Sequence, residues 1–274
     1  MTILVTGATG TLGRQVVGQL AREGRRVRAL TREPAGAAGL PGGVDVVGGD
    51  LTRPDTLAAA LEGVTAVHLL GATGAGHVPL PSGPEIVAMA RAAGVRRITV
   101  LSPGAEGALE RAVRASGLEW TFVWPIDLMS NALGWADAVR DRAEVREPYG
   151  RRRTASADER DVADVIATVL TSGGHGGQCY TVTGPEALTP ADKVAAIAAA
   201  TGRDIRFTEL TEEQARRQWR AEGWPGEGIE FMLTMWATVP ETVAEVTQAV
   251  EQVTGRPPRS FTRWATAHAG FFRP

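Results

Sequence analysis

The first half of the chain alternates short apolar runs with amphipathic segments of helical period. Runs of about five residues rich in aliphatic and β-branched side chains predict strands, and apolar positions that recur every three to four residues between them predict helices. The predicted strands are Thr2–Thr6, Arg26–Leu30, Val44–Val47, Ala66–Leu70, Arg97–Leu101 and Trp120–Trp124. Strands joined by helical crossovers form a parallel sheet with helices on both faces. We therefore predict an α/β, doubly wound, Rossmann-type fold.

The first predicted strand runs directly into three glycines spaced three apart, and a helical pattern follows. Gly7 can adopt the positive φ of a tight strand exit, Gly10 lets the backbone approach a phosphate, and Gly13 lets the helix pack closely on the strand. The free N–H groups around Thr11 and Leu12 then point at the anion, with the helix dipole behind them. This arrangement predicts a binding site for a dinucleotide diphosphate.

The end of the second predicted strand bears on which dinucleotide binds. NAD enzymes place a carboxylate there for the ribose hydroxyls, whereas this strand is followed by Thr31 and Arg32. A planar, permanently charged guanidinium suits a 2′-phosphate, and Arg14 at the start of the first helix could assist. We therefore expect NADP(H) in preference to NAD(H). Two alternatives stay open: Glu33 could serve the ribose of NAD, or Arg32 could be only a solvated loop residue.

The pattern loses its regularity after residue 125, where aromatic and charged residues mix without a sustained period. Residues 125–161 therefore predict irregular structure. Asp161 is placed to cap a helix that runs to Leu170, and Thr189-Pro-Ala-Asp192 resembles a capping box opening helix Pro190–Thr201. A further helix is predicted at Val243–Val253.

These later elements are short, and we expect them to be too small to form a core of their own. The predicted organisation is a dinucleotide-binding core over residues 1–125 and a smaller α+β substrate lobe over residues 126–274, within one continuous structural unit. Open α/β sheets bind their ligands beyond the carboxyl ends of the strands. The lobe is therefore expected to cover that edge.

Composition narrows the range of partners. The 274 residues carry a net charge of −2, and 43% of them are hydrophobic, so a sizeable core is expected and a nucleic-acid partner is not. Cys179 is the only cysteine and the four histidines are scattered, which argues against disulfides and a metal site. No stretch is long and apolar enough to cross a bilayer, and the opening strand does not resemble a signal peptide. We expect a cytoplasmic protein with a small-molecule partner; helices flanking the sheet could pair two copies as a homodimer.

Several segments together resemble one family. They are Thr6-Gly-Ala-Thr-Gly-Thr-Leu-Gly13, Arg28-Ala-Leu-Thr-Arg32, Gly49-Asp-Leu51, Phe122-Val-Trp-Pro125, Asp161-Val-Ala163, Tyr180–Pro185 and Thr254-Gly-Arg-Pro-Pro258. Across nearly its whole length the chain resembles the NmrA-like, atypical short-chain dehydrogenase/reductase proteins. Members include quinone and ketone reductases, and also redox-sensing regulators.

The resemblance implies which residues bind NADP(H). The turn would hold the diphosphate, Arg32 the 2′-phosphate, Asp50 and Leu51 the adenine side, and the residues after three later strands the nicotinamide side. The implied contacts are Gly7, Ala8, Thr9, Gly10, Thr11, Leu12, Arg32, Asp50, Leu51, Leu70, Gly71, Ser102 and Pro125.

The chain departs from ordinary short-chain reductases at the catalytic pair. Those enzymes use a Tyr-x-x-x-Lys motif, in which the tyrosine protonates the carbonyl and the lysine lowers its pKa. Here Tyr149 is followed four residues later by Arg153, Tyr180 by Gly184, and the only lysine, Lys193, lies in a late helix. The usual acid–base pair is therefore absent.

No catalytic residue is assigned; Ser102 and Asn131 are the candidate polar contacts to a substrate carbonyl, and Ser102 could instead cap a Ser-Pro-Gly turn. His77 lies in the loop after the fourth strand but has no recognisable carboxylate partner. An apolar slot for a flat substrate is predicted from Trp124, Met129, Asn131, Trp135, Met232 and Trp236. The alternative is that the apolar members are core residues.

These observations favour an NADPH-dependent reductase of a quinone, enone or ketone, with an aromatic or apolar carbonyl substrate. Hydride transfer needs only orientation over the nicotinamide, and a quinone or enone can take its proton from water. Two alternatives stay open: an NADP(H)-binding redox sensor without turnover, and a non-redox cyclase, epimerase or dehydratase on the same scaffold.

Overall fold

The computed structural model describes residues 1–73, 78–102, 106–238 and 240–274. The strands are β1 (Thr2–Val5), β2 (Arg26–Thr31), β3 (Asp45–Gly48), β4 (Ala66–Leu70), β5 (Ala72–Thr73), β6 (Val78–Pro79), β7 (Arg97–Leu101), β8 (Glu119–Pro125), β9 (Glu144–Pro148), β10 (Gln178–Val182) and β11 (Arg206–Leu210). The α-helices are α1 (Thr11–Arg22), α2 (Ala58–Leu61), α3 (Gly83–Ala92), α4 (Ala108–Ala115), α5 (Ala136–Arg142), α6 (Glu159–Thr171), α7 (Pro190–Thr201), α8 (Glu212–Ala221), α9 (Gly226–Ala237), α10 (Ala249–Thr254) and α11 (Phe261–His268).

Seven of these strands form one sheet in the order β10-β8-β7-β4-β1-β2-β3, and every neighbouring pair is parallel. The order reverses beside β1, which pairs with β2 on one side and with β4 on the other. This is the doubly wound, Rossmann-type arrangement, so the predicted fold class is confirmed. The carboxyl ends of β1 and β4 flank the switch point at which such sheets bind ligands.

The chain divides into two compact units, described separately below. The first unit consists of Met1–Pro125, Glu159–Val182 and Ala249–Arg256, and the second of Ile126–Asp158, Thr183–Gln248 and Pro257–Pro274. The first unit therefore contains α6, β10 and α10, which lie beyond residue 125 in the chain. The short run predicted at Tyr180–Thr183 corresponds to β10, which completes the large sheet beside β8.

Alternation along the strands supplies two apolar faces in the first unit. Leu4, Val67 and Ile98 lie on one face, in a cluster with buried residues of α2, α3 and α4. Helices α1 and α6 pack against each other, and α6 contacts β4, β7 and β8. Because successive strand residues point to opposite faces, nearly every residue of β1 and β4 is buried. Full burial of an aliphatic side chain contributes about 1.5–3 kcal/mol, so each buried aliphatic residue of these strands stabilises the unit.

The second unit has an apolar core of its own, and the prediction that its elements are too small for one is wrong. Phe261, Trp264 and Phe272 are among the most deeply buried large side chains, and they pack with residues of α5, α7 and β9. A second cluster joins α8 and α9 around Trp219. Chain segments far apart in sequence combine to bury these rings, which no local pattern could show.

The predictions for individual elements after residue 125 had different outcomes. The capping box is confirmed, because Thr189 Oγ1 accepts from the Asp192 amide at 3.1 Å and the Asp192 carboxylate accepts from the Thr189 amide at 2.9 Å. Asp161 is not an N-cap, since α6 begins two residues earlier. The helix predicted at Val243–Val253 is instead a 3₁₀ turn followed by α10, and the region predicted irregular contains α5 and β9.

His68 is a buried titratable group in the centre of the sheet. It lies in β4, directly opposite Thr99 of β7, and its Nδ1 is 2.9 Å from the Thr99 hydroxyl. Burial penalises the charged imidazolium and lowers the pKa of His68 from 6.5 to about 4. The ring is therefore neutral in the folded protein at physiological pH. His77, the other histidine singled out in the sequence, lies outside the described residues.

We predict that the free energy of unfolding falls as the pH falls through the window from 6.5 to about 4. In that window the unfolded chain binds a proton at residue 68 and the folded chain does not, so up to about 3 kcal/mol is lost. The variant His68→Gln, which can still hydrogen-bond to Thr99 but does not titrate, should lose less over the same window. Urea unfolding across this range checks the prediction, and parallel pH dependences of the two proteins would contradict it.

Candidate functional site

The turn between β1 and α1 is shaped by contacts that only glycine permits at two positions. Gly7 has a φ of 62°, and a Cβ there would lie 2.6 Å from Leu70 Cδ1. A Cβ on Gly13 would lie only 2.0 Å from the Gly7 carbonyl oxygen, so α1 packs directly on the turn. The Gly10 amide donates to the same carbonyl at 3.0 Å and closes the turn. The roles predicted for Gly7 and Gly13 thus have a direct steric basis.

The N-terminus of α1 is open to an anion. Its N-cap is Gly10, which offers no side-chain cap, and its first turn carries no acidic residue. The first amides of a helix have no intrahelical partner, so the amides around Thr11 and Leu12 suit a phosphate. The uncapped start of α1 therefore fits a dinucleotide diphosphate. Arg14 is occupied nearby, because its guanidinium donates to the carbonyls of Thr9 at 2.9 Å and Ala38 at 2.7 Å.

The residues predicted on the adenine side lie after β2 and β3. Arg32 directly follows β2 and is exposed, and no described residue hydrogen-bonds to its guanidinium. Asp50 Oδ1 accepts from the Thr52 amide at 2.9 Å and the Thr52 hydroxyl at 2.8 Å. These hydrogen bonds, with a smaller contribution from the charge of Arg32, lower the pKa of Asp50. Glu33 is also exposed, so both charges considered for the ribose face solvent.

The residues predicted on the nicotinamide side lie at the carboxyl ends of β4, β7 and β8. Leu70 packs beneath Gly7, the Gly71 amide donates to the Leu101 carbonyl at 3.0 Å, and the Ser102 amide donates to the Val123 carbonyl at 3.0 Å. The sheet therefore brings Leu70, Gly71, Ser102 and Pro125 to the same edge as the glycine turn. Ser102 is buried, and its hydroxyl is 3.3 Å from a carboxylate oxygen of Glu110 on α4.

The apolar residues predicted to bind substrate belong to three different packing environments. Trp124 lies on β8 of the first unit, while the other four lie in two clusters of the second. Met129 is 1% exposed within its core, so this packing gives no support to a substrate contact. The Trp135 indole packs against the same core and donates to Glu147 at 2.6 Å.

The other cluster of the second unit holds the remaining two predicted substrate residues. Met232 and Trp236 pack against the cluster around Trp219 in α8 and α9, and the guanidinium of Arg152 lies 3.9 Å from the centre of the Trp236 ring. Core packing, the alternative considered from the sequence, accounts for the environment of these residues.

A polar cluster in the second unit was missed by the sequence analysis. The ammonium of Lys193 donates to Asp127 at 3.1 Å, Thr154 at 3.0 Å and Ser156 at 2.7 Å, and Asn131 donates to Asp127 at 2.6 Å. Burial alone would raise the pKa of Asp127, but the charge of Lys193 and these hydrogen bonds outweigh it and hold the pKa low. The sequence signal that could have pointed to this cluster is that Lys193 is the only lysine in an arginine-rich chain.

The two tyrosines are engaged elsewhere. Tyr149 donates to Glu212 at 2.7 Å; burial, followed by this acidic partner, raises the pKa of Tyr149 to about 12. The Tyr180 hydroxyl is 2.8 Å from His175 Nδ1, and burial raises its pKa. Neither hydroxyl pairs with Lys193, so the structure agrees with the absence of a Tyr-x-x-x-Lys pair. In the described part of the chain, no group of three or more metal-ligating side chains occurs and no helix could span a membrane.

The fold and the phosphate-binding turn define a Rossmann-type dinucleotide-binding protein, and comparisons with known proteins agree. The model of an NAD(P)H-binding family matches residues 7–107. The (4-alkanoyl-5-oxo-2,5-dihydrofuran-3-yl)methyl phosphate reductase of Streptomyces griseus is 40% identical, with 99% of each chain covered. The NAD(P)H azoreductase of Xenophilus azovorans is 37% identical over 98% of this chain and 99% of its own.

Solved structures share the architecture. Triphenylmethane reductase of a Citrobacter species, complexed with NADP(H), superposes with a TM-score of 0.82 at 21% identity, covering 98% of this chain and all of that one. The structure of an NmrA mutant shares the fold at 18% identity with a TM-score of 0.76, over 99% of this chain and 96% of that one. The chain belongs to the NAD(P)H-binding family of the reductases to which it is similar. It is an NAD(P)H-dependent oxidoreductase.

We predict that Gly13→Ala weakens dinucleotide binding and destabilises the protein by about 1–3 kcal/mol, because the new methyl group collides with the Gly7 carbonyl. Gly18→Ala is the matched control on the same helix, where the nearest atom is a flexible arginine nitrogen at 3.4 Å. It should be neutral or stabilising by up to about 1 kcal/mol. Calorimetric titration with NADPH and thermal unfolding measure both effects, and equal behaviour of the two variants would refute the steric argument.

Proposed function

We propose that this protein is an NADPH-dependent reductase of a conjugated, electron-poor acceptor: a quinone, enone or ketone on an aromatic or apolar framework. The names of the two relatives support the class. One substrate name describes an unsaturated, alkanoyl-substituted furanone that carries a methyl phosphate group, and the other enzyme is named an azoreductase. Both names denote reductases of substrates that contain a double bond. The redox chemistry of these relatives favours the reductase over the sensor and over the non-redox enzyme.

One observation carries the proposal: a cofactor turn is present at the sheet edge without a tyrosine–lysine pair beside it. A simple ketone develops negative charge on oxygen during reduction and benefits from a positioned acid. A quinone or enone spreads that charge through its conjugated system, so water can deliver the proton later. The absence of the pair thus matches the more delocalised acceptors.

The residues of the chain have the following tasks in this proposal. The amides after Gly10 hold the diphosphate, and the contact between Gly13 and Gly7 keeps α1 in place beneath them. Leu70, Gly71, Ser102 and Pro125 form the edge beside which the nicotinamide is positioned. When bound, the reduced nicotinamide supplies the hydride, and orientation and exclusion of water at this edge provide the rate enhancement.

NADPH is proposed in preference to NADH because of Arg32. Its guanidinium is exposed at the end of β2 with no hydrogen-bond partner among the described residues. Charge-assisted, bidentate contact with a phosphate is the interaction for which arginine is best suited. Asp50, held by Thr52, leaves its second carboxylate oxygen available to the adenine side.

We predict NADPH oxidation with 2,3-dimethyl-1,4-naphthoquinone or a butenolide enone, and slower oxidation with a simple ketone. The rate with the quinone should change little with pH near neutrality, because no side chain is proposed to transfer a proton in the rate-determining step. Steady-state assays over a pH series check this. Control reactions without NADPH should give no product, whereas a cyclase or epimerase would form product without consuming NADPH. Tight NADPH binding without turnover of any acceptor would favour the sensor instead.

We predict that Arg32→Gln weakens NADPH binding by about 10- to 100-fold, since a hydrogen bond to a charged group is worth about 1.5–3 kcal/mol. NADH binding should stay within about threefold, because NADH has no 2′-phosphate to lose contact with. Arg26→Gln, at the exposed start of the same strand, is the matched control. If titration shows that Arg32→Gln leaves the NADPH dissociation constant unchanged, the assigned cofactor preference is wrong.

A further inference from the structure

A cavity of about 200 Å³ lies within the first unit, beside the residue that ends β7. Ser102 lines one end, Phe122 and Trp124 of β8 form an aromatic floor, and Arg114 of α4 forms a wall. Cys179 and Thr181 of β10 complete the floor. Ser102 stands at the same sheet edge as the glycine turn, so the cavity begins where the proposed acceptor has to be.

Strand register explains why these side chains lie on the same face of the sheet. In the parallel pair of β8 and β10, Cys179 lies opposite Phe122, and Thr181 lies opposite Trp124. Directly paired residues of neighbouring strands point to the same face. Phe122 is buried with the α4 cluster, whereas Trp124 and Thr181 are half-buried and Cys179 is exposed. The outer two strands therefore present an aromatic and small-residue surface on this face.

The wall of the cavity is held in place without a ligand. The Arg114 guanidinium lies 4.4 Å from the centre of the Trp120 ring and 5.1 Å from that of Phe122, and pairs with Glu106 at 3.6 Å. Glu110 is buried, and its carboxylate accepts from the Gly107 amide at 2.9 Å, which fixes the start of α4. Pre-organisation of this kind lowers the entropic cost of binding.

Charge and size define the ligand class. Two carboxylates line the cavity against one guanidinium, which is already engaged by rings and by Glu106. An anionic group therefore has no unpaired cation to meet here. A cavity of about 150 Å³ is enough for benzene, so this open cavity suits a one- or two-ring system lying on Trp124.

We infer that this cavity holds an uncharged one- or two-ring portion of the acceptor, with Trp124 and Thr181 as its floor. The inference rests on the proposed reductase function and adds to it the place and charge of the acceptor. It also leaves anionic rings, such as aryl sulfonates, as poor ligands of this cavity.

Because Cys179 lines the cavity, the rate of its alkylation reports whether a ligand occupies the cavity, and this measurement does not require turnover. Alkylation of Cys179 by iodoacetamide should slow in the presence of 1-naphthol, a neutral two-ring probe that does not add to thiols. Naphthalene-1-sulfonate, with the same rings and an anionic group, should protect less at equal concentration. Absence of protection by 1-naphthol, or stronger protection by the sulfonate, would overturn the inference.

A cavity-filling variant tests the same claim kinetically. Thr181→Trp should raise the KM for 2,3-dimethyl-1,4-naphthoquinone by about tenfold or more, equivalent to about 1.4 kcal/mol. Its NADPH dissociation constant, measured by titration, should stay within about twofold, because the substitution lies away from the glycine turn. Gln178→Trp adds the same bulk at the exposed start of β10, on the opposite face, and should leave both quantities unchanged.

The outcomes separate the two proposals. A Thr181→Trp protein that binds NADPH and keeps the wild-type KM overturns the cavity assignment and leaves the reductase intact. If the wild type binds no NADPH or reduces no acceptor, the proposed function fails, and the alkylation experiment still decides whether the cavity takes a neutral ring. If Thr181→Trp does not fold, the same experiment on the wild type decides the inference.

Discussion

The close contact between α1 and the turn before it fixes where the first amides of α1 lie at the edge of the sheet, and the predicted cofactor site of the first unit depends on this position. Gly13 lies so close to the Gly7 carbonyl that no side chain fits between them. The close approach aligns the first amides of α1 at the switch point of the sheet, and it needs Gly7 in the left-handed region above Leu70. Anion binding here follows from backbone geometry rather than from charged side chains, which is why an almost neutral protein can hold a dinucleotide.

The side chains that could form a tyrosine–lysine acid–base pair all have other hydrogen-bond partners. Tyr149 and Tyr180 have other hydrogen-bond partners, and Lys193 donates to three oxygens in the second unit. In the proposed reductase, catalysis therefore depends on positioning the reactants. The aromatic floor on β8 and β10 is consistent with that reliance, since stacking orients a flat molecule without needing to transfer a proton.

The polar cluster of the second unit is organised around the hydrogen-bonding needs of Lys193. The Lys193 side chain is only 12% exposed, and a charged group with so little access to water needs a hydrogen-bond acceptor for each of its N–H groups. Asp127, Thr154 and Ser156 provide the three acceptors, from two chain segments that flank α5 and β9. The cluster thus joins three distant parts of the chain, while Asn131, a candidate for substrate binding, is tied to it through Asp127.

The sequence by itself determined the fold class, the six strands that the first 125 residues contribute to the large sheet, and the shape of the glycine turn, because these depend on local periodicity and on glycine spacing. It did not reveal β10 as the seventh strand, the core around Trp264, or the partners of Lys193. Each of these joins residues from distant segments, and burial or pairing over such separations leaves no periodic signal. The environments of Met129 and Trp236 were decided by tertiary packing for the same reason, since an apolar side chain satisfies a core or a ligand equally well.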